Sequence, residues 1–410
     1  MKKKLILLVF CVMLVDSVFA QSEKRTGWGW GGVPAINYNA DDGFGYGVLL
    51  NLFNYSKGGY SPYYFKINPI IFATSGGKQD HTLFFDSPYM LGHGLRINAR
   101  IRIQMEKYYP YYGLGNDTKY HASYVEIDDD ENSLGTLHSK YYYRMKTNQY
   151  KFFTNLQKAF KYGKNGKPLV SGLVGLGVVS VSNEELSNDG IPTLFETDKN
   201  SSVLTSKEAK GGLNNFLKVG VIYDTRDNEP APNSGVWTEA LVEWYTKLLG
   251  SDYSFSRLTL TDRRYFPITK KLVYANRVVF ENIFGDAPFN MLYPFGSSWA
   301  ADEGIGGYRT LRGVFKNRYI GTTKLFVNME LRYKFYEFSL FNQDFYLAGN
   351  LFCDAGRVWY DEPVNSLKNL HVGKGAGLHI AWNENFIVYA DMGHSTESGR
   401  QLYIDIGYLF

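Results

Sequence analysis

Residues 324–335 read Lys324-Leu325-Phe326-Val327-Asn328-Met329-Glu330-Leu331-Arg332-Tyr333-Lys334-Phe335. Leu325, Val327, Met329, Leu331, Tyr333 and Phe335 fall on one side of an extended chain. Lys324, Phe326, Asn328, Glu330, Arg332 and Lys334 fall on the other. Side chains alternate across a strand with period two, so this stretch is a strand with one apolar and one largely polar face. Leu95 to Glu106 repeats the pattern: Leu95, Ile97, Ala99, Ile101, Ile103 and Met105 alternate with Arg96, Asn98, Arg100, Arg102, Gln104 and Glu106. At the end of the chain Leu402, Ile404, Ile406, Tyr408 and Phe410 are expected to share one face.

Reading outward from these segments, period two dominates and no helix of ten or more residues is convincing. About sixteen strands are expected near residues 28–38, 44–54, 62–73, 79–86, 94–106, 139–159, 168–182, 213–223, 235–247, 253–265, 270–284, 321–335, 344–354, 371–382, 385–392 and 401–410. The long connections, 107–138, 183–212 and 285–320, all run from an odd strand to an even one. Long loops on one rim and short turns on the other are the habit of an outer-membrane barrel. A secreted β-sandwich or propeller would also alternate, but it has no reason to sort its loops by parity. The expected fold is therefore all-β, a transmembrane antiparallel β-barrel of sixteen strands with an infolded extracellular loop.

Composition agrees. Among 410 residues are 33 Tyr, 28 Phe and 42 Gly, too aromatic for a disordered chain. A mean hydropathy of −0.27 resembles that of a soluble protein, as a barrel that turns its polar side chains inward also does. The formal net charge of +4 gives no footprint for nucleic acid. Lys2, Lys3 and Lys4, then apolar Leu5 to Val15, then Val18-Phe19-Ala20 read as a secretory signal peptide over residues 1–20. Residues 21–27 are expected to be a short periplasmic segment and residues 28–410 the barrel. Cys11 leaves with the leader, so Cys353 has no intramolecular disulfide partner. Asp128-Asp129-Asp130-Glu131 lacks calcium-loop spacing and reads as a solvated loop face.

Several motifs stand out on this frame. Tyr223-Asp224-Thr225-Arg226-Asp227-Asn228, followed by Pro232 and Gly235, falls in an expected periplasmic turn. Leu311-Arg312-Gly313-Val314 lies in the longest extracellular loop. Asn328 to Arg332 lies on strand 12, and Phe352-Cys353-Asp354-Ala355-Gly356-Arg357-Val358-Trp359 ends strand 13. The chain closes on Gly407-Tyr408-Leu409-Phe410. In this order the motifs resemble a BamA/TamA-type outer-membrane assembly barrel of the bacterial surface antigen family, from about Gly29 to Phe410.

The resemblance implies that Arg312 and Gly313 sit at the tip of a loop folded back into the lumen. It implies that Arg312 grips Glu330 and Asp354 on the wall, a contact that fixes the loop and performs no chemistry. Strand phase independently puts Glu330 and Asp354 on inward faces, and an arginine fork against carboxylates suits a confined lumen. The resemblance further implies that Asp224, Arg226, Asp227, Asn228 and Gly235 shape a periplasmic turn. Tyr408 and Phe410 are similar to a C-terminal barrel signal. Val314 departs from the family's aromatic at that position, although Phe315 follows it. Family members usually carry POTRA domains before the barrel. Only residues 21–27 separate the leader from the first strand, so a barrel-only member is expected.

The resemblance implies an assembly or export role in the outer membrane, with a weak seam between the first and last strands. Gly29, Gly31, Gly32 and Gly407 would loosen that seam. Expected partners are outer-membrane lipid and POTRA-bearing assembly proteins or periplasmic chaperones, with no nucleic acid, cofactor or metal. The alternative is a passive channel with a loop-constricted lumen, in which Arg96, Arg100 and Arg102 would favour anions. Enzymatic readings are weak. His394 and Ser395 are neighbours on an extended segment and point apart, and the other histidines lack ligand spacing. Tyr108, Tyr109, Tyr111 and Tyr112 read as an outer interfacial girdle, or alternatively as anchors for a surface partner.

Overall fold

The computed structural model describes residues 26–60, 62–125, 139–163, 166–186, 191–299, 303–340, 343–364, 366–382 and 386–410. The expected leader, Cys11 and the acidic run Asp128 to Glu131 lie outside these residues. The strands are β1 (Trp28–Asn39), β2 (Gly43–Asn54), β3 (Phe65–Thr74), β4 (Lys78–Ser87), β5 (Leu95–Pro110), β6 (Arg144–Tyr162), β7 (Pro168–Glu184) and β8 (Gly211–Asp224). They continue as β9 (Gly235–Tyr245), β10 (Phe255–Pro267), β11 (Leu272–Gly285), β12 (Thr323–Leu340), β13 (Gln343–Trp359), β14 (His371–Trp382), β15 (Phe386–Ser395) and β16 (Gly399–Ile406). Each pairs antiparallel with its sequence neighbours, and β1 meets β16 to close the barrel. Away from that junction, pairing on both sides leaves the main-chain groups of each strand partnered within the protein, as a hydrocarbon solvent requires.

The faces divide by the alternation that defines them. On β12 the inward Lys324, Phe326, Asn328, Glu330 and Arg332 are buried, while Leu331, Tyr333 and Phe335 are exposed. On β13 Tyr346, Ala348, Asn350, Phe352 and Asp354 are buried and Leu351 is 63% exposed. Charge inside and aliphatic surface outside invert the order of a water-soluble domain and fit a protein whose outer solvent is lipid.

Two short helices, α1 (Leu194–Asn200) and α2 (Ser206–Lys210), lie in the connection from β7 to β8. Each starts on a capping box, Thr193 with Glu196 and Thr205 with Glu208. Phe195 of α1 packs with Tyr109, Tyr111, Met145, Phe216, Phe289 and Tyr293 in an apolar cluster near the long-loop rim. This corrects the reading of the tyrosines. Tyr109, Tyr111 and Tyr112 are buried at 6%, 0% and 4% exposure, neither in a lipid girdle nor free as anchors. β5 runs on to Pro110, and the loops fold over its end. Tyr111 donates to Asp198 at 2.7 Å, and Tyr108 stacks on Tyr141 with ring centroids 4.9 Å apart.

The two ends of the sheet meet sparingly. β1 and β16 share two facing pairs, Tyr38 with Ile404 and Asn39 with Tyr403. On its other side β1 pairs with β2 from Trp28 to Asn39 without a break. The shared face expected for residues 402–410 ends at Ile406. Gly407 donates to Ile387 O at 2.8 Å and takes φ +97°, a conformation open to glycine at no steric cost. The chain then turns inward. Tyr408 packs with Ala231, Tyr346, Ala348, Ala381 and Ile387, and Phe410 packs with Tyr265, Val273 and Ala275. The last residues therefore leave the seam and enter the lumen at its short-turn end.

Candidate functional site

The connection from β11 to β12 folds into the lumen, where each of its main-chain groups needs a partner that water no longer supplies. The charged inward side chains provide them. Arg257 donates to Met291 O at 2.6 Å, Lys218 to Ser297 O at 2.7 Å, and Lys324 to Leu292 O and Pro294 O at 2.8 and 2.9 Å. Glu281 accepts from Gly296 N at 2.7 Å and Glu239 from Ser298 N at 3.2 Å. The descending limb is thus held by one side chain from each of the five neighbouring strands β8 to β12.

The tip is a small folded unit. Gly307 N donates to Val314 O, and Thr310 Oγ1 donates to Gly304 O at 2.7 Å. Ile305, Leu311, Val314 and Tyr319 join Phe295, Phe326 and Val358 in a buried apolar cluster. Val314 therefore serves as packing, and Phe315 turns towards Tyr112 and Tyr120.

Arg312 projects from this unit with 1% of its surface exposed. Its Nε and Nη2 donate to the two oxygens of Asp354 at 2.8 and 3.0 Å, and its main-chain N reaches Asp354 at 3.1 Å. Its Nη1 lies 2.5 Å from Glu330 and 2.8 Å from Asp391. The guanidinium carbon sits 3.6 Å from the ring centroid of Phe352, a cation–π contact supplied by the wall and not by the loop. Arg332 balances part of the acidity at 2.7 Å from Glu330, and His379 lies 3.1 Å from Asp391. The structure thus brings Arg312, Glu330 and Asp354 together and adds Asp391.

Main-chain fit completes the grip. A Cβ on Gly373 would fall 1.8 Å from Arg312 O, and one on Gly393 would fall 2.6 Å from Gly313 N. Only glycine allows the loop backbone to lie this close to β14 and β15. Gly313 itself takes φ +87° and donates to Tyr403 Oη at 3.0 Å.

The other predicted residues sit elsewhere. Arg226 forks onto Asp224 at 3.0 and 2.8 Å. Asp227 accepts from the main-chain N of Asn228, Asn233 and Ser234 at 2.8, 3.0 and 3.2 Å, which ties the turn between β8 and β9. Gly235, at φ +102°, would put a Cβ 2.4 Å from Thr225 O. The Arg312 grip does not include this turn. Tyr408 lies near it through Ala231. Arg332 Nη2 donates to Phe410 O at 3.2 Å, so the C-terminal residues touch the loop-gripping wall from below.

The sequence reading missed Asp391, Tyr403, Lys316 and the glycine cradle. Gly373, Gly375 and Gly377 stand at every second position of β14, and that spacing signals a face cleared for another backbone. Lys316 Nζ pairs with Asp42 at 3.1 Å and Glu106 at 3.0 Å, a contact between loop, turn and strand that spacing could not show. The arginine row on β5 is largely neutralised: Arg96 pairs with Asp86 at 2.7 Å, and Arg102 pairs with Asp80. Between loop and wall on the β1 to β5 side lies a cavity of about 400 Å³, lined by Lys78, Asp80, Arg100, Arg102 and Arg309 among others.

Comparison with known proteins accords with this architecture. The Omp85 superfamily domain matches residues 71–387. No curated protein matches the sequence. The fold is similar to BamA from Haemophilus ducreyi lacking POTRA domains 1-3, at 13% identity and TM-score 0.57, covering 93% of this chain and 70% of that one. It is similar also to CdiB from Escherichia coli, at 10% identity and TM-score 0.57, covering 92% of this chain and 63% of that one. The chain thus spans under two thirds of the length of CdiB. At these identities the likeness is one of fold, and the family rests on the domain match. This chain belongs to the Omp85 superfamily and is a transmembrane β-barrel of the bacterial outer membrane.

Proposed function

We propose that this barrel assists the assembly or export of other outer-membrane proteins by parting its seam and offering a strand edge. The observation that carries the reading is the pairing of β1 with β16 through two facing pairs. Below Tyr38 no further facing pair joins β1 to β16 among the described residues, and after Gly407 the chain turns into the lumen. An unpaired edge is a template for an incoming strand. The fixed part of the machine is the loop that Arg312 ties to Glu330 and Asp354, and its role is to hold the wall at β12 and β13 in shape while the seam moves. Tyr408 and Phe410 double as the barrel's own C-terminal signal and as the residues that leave the seam.

The turn from Asp224 to Gly235 faces the periplasm in this reading. The expected signal peptide delivers the chain to that side, and POTRA-bearing assembly proteins or periplasmic chaperones are the partners that would bring clients. The test is a reversible lock. Tyr38→Cys with Ile404→Cys, in a Cys353→Ser background, joins a facing pair of the seam. Oxidation is expected to deplete other barrels from the outer membrane, and a reductant to restore them. Unchanged outer-membrane composition in the oxidised state counts against the proposal. The passive-channel alternative has less support, since the loop occupies much of the lumen and two of the three β5 arginines are paired.

A further inference from the structure

We infer that the tip of the lumenal loop is a latch laid across the seam, with Lys316 and Arg318 as the positioning residues that hold β1 and β16 side by side. The inference rests on the seam reading above and names what controls it.

The seam's own pairing ends at Asn39 and Tyr403, and the loop is fastened to Tyr403 and to the turn just beyond Asn39. On the β16 side Gly313 N donates to Tyr403 Oη at 3.0 Å, and Ser398 Oγ donates to Gly313 O. Arg318, fully buried, places Nε and Nη2 on the two oxygens of Glu397, in the turn from β15 to β16. On the β1 side Lys316 N donates to Asp41 at 2.9 Å, and Lys316 Nζ reaches both oxygens of Asp42 at 3.1 Å. Asn39 fixes that turn by accepting from the main-chain N of Asp41 and Asp42 at 3.0 and 2.7 Å. Between Gly313 and Arg318 the chain therefore crosses from one side of the seam to the other and back.

Each end of the latch is a charged contact: the Lys316 end is removed from bulk water, and at the other end a fully buried Arg318 meets a Glu397 that is 27% exposed. Lys316 is 1% exposed and shares Asp42, Glu106 and Glu303 with Lys78. Charge-assisted bonds in such surroundings are strong, and breaking one leaves a partner unsatisfied. Separating β1 from β16 must then break the Lys316 set or the set at Gly313 and Arg318, besides the two strand pairs. The Arg312 grip on Glu330, Asp354 and Asp391 lies behind the latch and anchors it to β12, β13 and β15. The two functions can be separated by mutation. Asp42→Asn removes the charge that Lys316 Nζ meets in the β1 turn, while the bond from Lys316 N to Asp41 and the pairing with Glu106 and Glu303 remain. Glu397→Gln releases Arg318 from the β16 turn while Arg312 stays bound.

The experiment is a distance measurement by pulsed electron resonance on the barrel in lipid nanodiscs, with Cys353→Ser. Spin labels are placed at Ile36→Cys and Ile406→Cys, exposed positions flanking the seam just below its last pair. The parent is expected to give one narrow distance. Asp42→Asn and Glu397→Gln are each expected to add a longer one, and Asp42→Glu and Glu397→Asp to return most of the population to the narrow distance. Distributions for both isosteric variants that superimpose on the parent overturn the latch. If either fails to give the compact, heat-modifiable barrel in electrophoresis, Tyr403→Phe takes its place, since it removes only the hydroxyl that accepts from Gly313 N. A parent-like distribution there overturns the latch equally. No client is present in this measurement, so its failure leaves the assembly proposal to the disulfide lock, and failure of the lock leaves these distances unchanged.

Discussion

β12 with β13 and β1 with β16 are both antiparallel pairs in one closed sheet, yet seventeen facing pairs join the first and two join the second. Inward from the first lie Glu330, Arg332 and Asp354, buried and engaged with Arg312 or with the C-terminal residues. Near the second lie glycines, a chain that turns away at Gly407, and a cavity of about 400 Å³. The difference teaches that closure of the barrel and rigidity of the barrel are separate properties. Strand pairing supplies rigidity on one side. On the other, closure is shared between two strand pairs and a loop anchored to β12, β13 and β15.

The largest effect is expected from breaking the rigid side. Arg312→Ala leaves Glu330, Asp354 and Asp391 with less positive charge than their burial demands. Removing one partner of a buried ion pair costs about 3–5 kcal/mol. The urea midpoint in lipid should fall accordingly, and protease should gain access to the segment around Arg312. Arg312→Lys keeps the charge and loses the fork, so it should lie between the parent and Arg312→Ala. A midpoint unmoved in Arg312→Ala would mean that the wall does not depend on the loop.

A smaller effect separates the cradle from the rest of the wall. Gly373→Ala places a Cβ 1.8 Å from Arg312 O, and such overpacking costs about 1–3 kcal/mol. Gly349→Ala, on neighbouring β13, meets nothing nearer than Gly377 O at 3.7 Å and should leave the midpoint nearly unchanged. Equal losses from both substitutions would deny the cradle any particular role.

The smallest effect concerns pH on the seam side. Burial pushes the Asp41 carboxyl up to about 6 from its ordinary 3.8, the hydrogen bond from Lys316 N only partly opposing it. Its Oδ2 is enclosed without a hydrogen-bond partner among the described residues. Between these two values the folded protein holds a proton that the unfolded chain has released. Stability therefore falls as pH rises through that window, and the cost is fully present above pH 6. Asp41→Asn should be more stable than the parent at neutral pH by about 1 kcal/mol, discounted for water reaching the turn. The advantage should vanish as pH falls towards 4. An advantage that does not change with pH would assign the gain to something other than the carboxyl.

How far the sequence carried depends on where the information is local. Alternation is a property of neighbours, so β12 and β13, the inward set from Tyr346 to Asp354 and the strand order could be read directly. The motif around Arg312 led to Glu330 and Asp354 because resemblance added a contact that spacing cannot. Asp391 lay beyond reach, since a third carboxylate on β15 meets Arg312 only once the barrel closes. The tyrosines at the end of β5 and just beyond it misled because an aromatic buried under loops and one facing lipid have the same local pattern. Tyr408 and Phe410 kept the alternation of β16, but a single glycine at φ +97° turned them inward. Nothing in the spacing around Lys316 and Arg318 marks them, because their partners Asp42, Glu106 and Glu397 lie far away along the chain.

The most direct test of the contrast is amide hydrogen exchange on the folded barrel in lipid, read peptide by peptide. β12 and β13 are expected to stay protected. In β1, amides aimed at β16 below Tyr38 should exchange early, while those bonded to β2 persist, so that roughly half of the strand is labelled first. Protection of β1 and β16 as complete as that of β12 and β13 would contradict the account, because it would mean that the seam is held as firmly as the wall.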